Sequence, residues 1–106
     1  MIDLSKLKTA EMKAEEAAQQ AREQWKARRA EAVRNIKVTT AAGNIFDGDE
    51  ESQARMARAL LGLQASGVTT VNWVLADNTV IDASSAELAE ALALAGAEQA
   101  RLWVKP

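Results

Sequence analysis

An α+β fold, a long N-terminal helix followed by a hairpin-helix-hairpin-helix domain with an antiparallel sheet, is what the sequence predicts. Three observations carry that reading. From Ser5 to about Arg34 there is no glycine or proline, and Ala, Glu, Lys, Gln and Arg dominate, all strong helix formers. Two later stretches alternate apolar and polar residues on either side of a turn. Each of these is followed by apolar residues spaced three and four apart, the helical period.

The first helix has a thin apolar face. Alternating steps of three and four give Leu4, Leu7, Glu11, Ala14, Ala18, Ala21, Trp25, Arg28 and Ala32, a heptad-like seam interrupted at Glu11 and Arg28. A second line through Ala10, Ala14, Ala17 and Ala21 competes with it. Alanine seams permit close helix approach but bury little area. Two readings follow: a solvated single helix held by charge pairs, or a helix that leans on a partner or a second copy. Trp25 speaks for the second, because a large aromatic in polar surroundings usually packs on something. Leu7, Ala14, Ala18, Ala21 and Trp25 are therefore the candidate partner-interface residues. The chain divides into residues 1–34, an oligomerisation or docking helix, and residues 35–106, a compact domain.

After the helix, "NIKVTTAAGNIFDGD" reads as a short hairpin that turns at Ala42, Gly43 and Asn44. In "EESQARMARALLGLQASG", Met56, Leu60 and Leu63 stand at helical spacing with Ala57 and Leu61 beside them, and Gly67 ends the helix as a C′ glycine. The stretch "VTTVNWVLADNTVIDAS" gives a second hairpin in which Val71, Trp73 and Leu75 alternate and Asp77-Asn78 forms a two-residue turn. The last helix opens with Ser84 and Glu87 at capping-box spacing and carries Leu88, Leu92 and Trp103. Gly96 within it costs roughly 1 kcal/mol against alanine and is expected to mark a bend or a close contact. Trp73 and Trp103 are expected in the core rather than on a stacking platform.

Composition restricts the chemistry. With 106 residues the chain is one domain, and its highly charged first third leaves a globular part of about seventy residues. There is no cysteine, hence no disulfide framework or thiolate chemistry, which suits a reducing cytosol or a particle assembled there. There is no histidine, the commonest general base and metal ligand, which argues against an enzyme. No signal peptide and no membrane span are expected. Residues 1–35 hold eight Lys/Arg and six Asp/Glu; such interleaved charge makes no nucleic-acid footprint, although Arg22, Arg28, Arg29 and Arg34 keep a DNA-binding regulator as a weaker alternative.

Four carboxylates crowd into "FDGDEESQARM", at Asp47, Asp49, Glu50 and Glu51. A calcium loop needs oxygen ligands spread over about twelve residues and a closing bidentate Glu, which "DGDEES" lacks. Asp47 and Glu50 instead stand at capping-box spacing, and Asp49, Glu50 and Glu51 fall where the helix dipole favours negative charge. The cluster is expected to start a helix; no catalytic, cofactor or metal residue is assigned.

From about Ala32 to Trp103, through "FDGDEESQARM", "NWVLADNTVIDAS" and "ELAEAL" in that order, the chain resembles an uncharacterised domain family of tailed-phage and prophage proteins associated with tail and tail-fibre-assembly proteins. The long N-terminal helix stands where that family has Pro-rich or extended lead-ins. The resemblance implies a bacteriophage tail structural or accessory protein, located in the virion tail and assembled in the bacterial host cytoplasm. Its implied partner is a tail fibre or baseplate protein, with no nucleic acid and no membrane. A transient tail-fibre assembly chaperone, absent from the mature virion, is the alternative.

Overall fold

A computed structural model describes residues 4–105, with side chains from Thr9 to Lys105. The elements run α1 (Leu4–Arg34), β1 (Lys37–Thr39), β2 (Ile45–Asp47), α2 (Glu50–Ser66), β3 (Thr70–Val74), β4 (Val80–Ser84) and α3 (Ser85–Val104). The α+β architecture is thus present, with the antiparallel pairing divided between two two-stranded ribbons, β1-β2 and β3-β4. One backbone bond ties the ribbons together, from the Ala76 N–H to the Ile45 carbonyl at 3.0 Å. At 1.5 Å per residue α1 is about 46 Å long, and it draws the molecule out to 80 × 26 × 18 Å.

Each ribbon alternates cleanly. Val38 faces Phe46 on the buried side of the first, and in the second Val71 faces Ala83 and Trp73 faces Ile81. These inner faces, α2 and α3 enclose a core in which Phe46, Met56 and Leu88 are fully buried. The last turn of α1 belongs to that core, since Val33 is 4% exposed and Ala32 packs beside it.

The two ribbon-helix units follow one plan at an offset of 35 residues. In each, an i→i+3 bond closes the turn, Gly43 N–H to Thr40 and Asn78 N–H to Leu75, both at 2.9 Å. The donating residue is left-handed in both, with φ of 87° at Gly43 and 67° at Asn78. Both loops therefore have three residues, the arrangement of a turn followed by a left-handed bulge residue. The two-residue turn expected at Asp77-Asn78 is corrected accordingly: Ala76 is in the loop, because the Leu75 N–H still pairs with the Thr79 carbonyl at 2.8 Å.

The helix caps lie at the same offset, at Asp49 and Ser84. Capping from Asp47 is thereby corrected. Phe46 must point inward opposite Val38, so β2 persists through Asp47, whose carboxylate meets the Lys37 ammonium at 3.5 Å. Gly48 then adds one more rung, its N–H donating to the Ile36 carbonyl at 2.8 Å, and α2 cannot begin before position 49. Asp49 accepts the Ser52 hydroxyl, while Glu50 and Glu51 occupy the first turn as the dipole favours. Gly67 does end α2 in the left-handed conformation, donating to the Leu63 carbonyl.

Half of the second capping box forms. The Ser84 hydroxyl accepts the Glu87 N–H at 3.1 Å, but the Glu87 carboxylate turns to the first hairpin loop. There it receives the Thr40 hydroxyl and the Asn44 side-chain amide, both at 2.9 Å, and Glu90 receives the Ala41 N–H at 2.8 Å. Thr40 is buried, so this bond satisfies a hydroxyl cut off from water. Nor does Gly96 bend its helix: α3 runs unbroken, and a Cβ at Gly96 would meet only the Gln53 Oε1 at 4.0 Å.

Candidate docking surface

Beyond the core, α1 leaves the domain. Every described side chain from Thr9 to Gln24 is exposed, including Ala14, Ala18 and Ala21 of the predicted seam, and Met12 is 55% exposed. The Leu7 side chain lies outside the described residues. Local propensity builds this segment, with no apolar face of its own domain to rest on.

Trp25 marks where the helix meets the domain. It is half-buried, and the Arg29 guanidinium sits 4.6 Å from its ring centroid and 4.0 Å from that of Trp103. One cation is thus held between two indoles, each contact being worth about 0.5–1 kcal/mol at an exposed position. Trp103 is consequently not a core residue as predicted; it is 46% exposed and clamps α1 onto the end of α3. The helical stripe that suggested burial ends one step earlier, at Leu102. Trp73 does pack against the core, half-buried on the inner face of β3.

One concave surface lies at this junction and another lies between the ribbons. A groove of about 310 Å³ runs between the basic end of α1, at Lys26, Arg29 and Arg34, and the acidic start of α2, at Asp49, Glu50 and Glu51. A cleft of about 440 Å³ separates the two ribbons, between Ile45 and Ile81. Beside it, Val74 and Val80 face each other across the ribbon with 55% and 59% of their surface exposed.

Among the described residues no three His, Cys, Asp or Glu side chains come together as a metal site. Two carboxylates are shifted, both downward: hydrogen bonds from Thr79 lower the exposed Asp77, and the Arg101 hydrogen bond lowers the half-buried Glu98. Among the described residues, no helix is long and apolar enough to cross a membrane.

Residues 8–102 match the model of a family described as "Domain of unknown function (DUF4376)". The chain belongs to that family. The match begins inside α1, so most of the projecting helix lies within the DUF4376 region together with the two ribbon-helix units. No curated protein and no solved structure matches the chain.

The Ala face and Trp25 can be read from the sequence, whereas the pairing of Arg29 with Trp103 cannot. The signal that was available is Trp25 and Arg29 at i,i+4, neighbours on one helix face. Nothing local could place Trp103 against them, at a separation of more than seventy residues along the chain.

Proposed function

We propose that this DUF4376 protein is a non-catalytic structural or accessory component of a bacteriophage tail. It attaches to, or helps assemble, the tail fibre or baseplate by protein-protein contacts, and it self-associates through α1. One observation carries the docking part: a helical segment from Thr9 to Gln24 is exposed on every side, yet carries the small residues Ala14, Ala18 and Ala21 on one seam that leads to Trp25. A folded unit that devotes this much chain to a projecting helix is built to be joined to something else. The resemblance of the ribbon-helix part to tailed-phage proteins supports the tail as the place, with assembly in the host cytoplasm and residence in the virion.

The exposed Val74-Val80 pair and Ile45 favour a second reading, a transient tail-fibre chaperone whose apolar ribbon faces shield a folding fibre. Quantitative mass spectrometry of gradient-purified particles separates the two. The protein is expected in a fixed ratio to the fibre or baseplate protein. Its presence in infected lysate and absence from particles would instead select the chaperone.

A further inference from the structure

Which way the α1 seam pairs is decided by its two polar interruptions. Glu11 and Arg28 occupy seam positions, and both are exposed in the single chain. In a parallel, in-register pair or trimer, Glu11 would meet Glu11 and Arg28 would meet Arg28, placing like charges in two layers of the contact, while Trp25 would meet Trp25. An antiparallel pair that sets Ala18 against Ala21 of the second copy changes every one of these layers. Glu11 then faces Arg28 of the second copy, and Ala14 faces Trp25 of the second copy, small against large. Flanking the seam, Glu15 comes opposite Arg22 of the second copy.

The charge along the helix agrees with that direction. Residues 11–16 carry three carboxylates and one lysine, whereas residues 22–29 carry four cations and one carboxylate. Antiparallel contact lays the acidic segment of each copy on the basic segment of the other, and does so twice by symmetry. Trp25 is only half-buried by its own chain, with Arg29 on one side of the ring, which leaves surface for the second copy.

We infer that α1 pairs antiparallel with α1 of a second copy in the register that joins Glu11 to Arg28, giving a two-fold dimer with its globular units at opposite ends. This rests on the self-association proposed above and adds its direction and register. It commits the seam to a sister chain, so that a tail protein meets the dimer as a whole.

Disulfide trapping tests it on the full chain, which has no cysteine of its own. Glu11→Cys and Arg28→Cys are made separately, both at exposed positions, and are then coexpressed and oxidised. The mixture is expected to cross-link, whereas each variant alone is not, because in this register the two copies of position 11 lie about 25 Å apart along the axis. Cross-linking of Glu11→Cys with itself would show a parallel pair and overturn the inference, while leaving self-association intact. Monomeric mass and no cross-link in any sample would overturn the inference and self-association together. As a second readout, Glu11→Arg is expected to weaken the dimer about tenfold, since two layers then hold like charges, and the swap Glu11→Arg/Arg28→Glu is expected to restore it. A swap that fails to restore association in a folded chain contradicts the register.

Discussion

Phe46→Ala is expected to remove about 3–5 kcal/mol of folding stability, the range for deleting a buried aromatic side chain. Phe46 is fully buried, sits opposite Val38, and belongs to the same cluster as Met56 and Leu88. It therefore holds the first ribbon against the helices. A globular part of about seventy residues has only roughly 4–10 kcal/mol of net stability at the usual value per residue, so the variant loses a large part of it. Urea unfolding followed by circular dichroism checks this as a fall in the midpoint at unchanged slope. Ile45→Ala is the control one residue away. Its side chain is 47% exposed on the outer face, and it is expected to cost under about 1 kcal/mol because little buried area is lost. Equal effects at the two positions would mean that the inward and outward faces of β2 are wrongly assigned.

Gly48→Ala is expected to destabilise the fold by about 1–3 kcal/mol, through crowding rather than through the backbone. An added Cβ would stand 2.6 Å from the Ile36 Cγ2 and 3.0 Å from the Ala95 Cβ. Neither neighbour gives way easily: Ile36 is 4% exposed and accepts the Gly48 N–H through its carbonyl, and Ala95 is fully buried on α3 with no rotamer to change. The counterpart position 35 residues on holds Ala83, itself fully buried, so the plan of the unit does not demand glycine. What demands it is the particular pair of neighbours at position 48. The measurement is again the urea midpoint, and an unchanged or raised midpoint would refute the close approach of β2, Ile36 and α3.

Most of the local architecture could be read from the chain because it is locally determined. Gly67 stops α2 by its own backbone freedom, and the period of Met56, Leu60 and Leu63 requires no tertiary knowledge. The 35-residue repeat could also have been read, since "NIFDGDEES" and "TVIDASSAE" keep an Asp at the fourth position and a capping residue at the sixth. Aligning them would have moved the cap from Asp47 to Asp49, opposite Ser84. What could not be read depends on contacts between distant segments. Glu87 satisfies half of a capping box in sequence, yet the buried Thr40 hydroxyl and the Asn44 amide draw its carboxylate away. Trp103 continues an apolar stripe, yet the end of α3 projects beyond the core and finds Arg29. The seam is intermediate: its residues are visible in the sequence, whereas the exposure of Ala14, Ala18 and Ala21 is visible only in the fold.

Whether α1 joins two copies of the chain, as proposed above, is decided by the mass of the full chain in solution. Light scattering on the native protein and on Ala14→Glu/Ala18→Glu, which places charge on the exposed seam without touching Trp25, Arg29 or Val33, gives the answer. The native chain is expected at twice its 11.4 kDa mass and the variant at 11.4 kDa, both with the same helical circular dichroism. Equal masses for the two, whether both monomeric or both oligomeric, would contradict the claim that this face of α1 joins the copies.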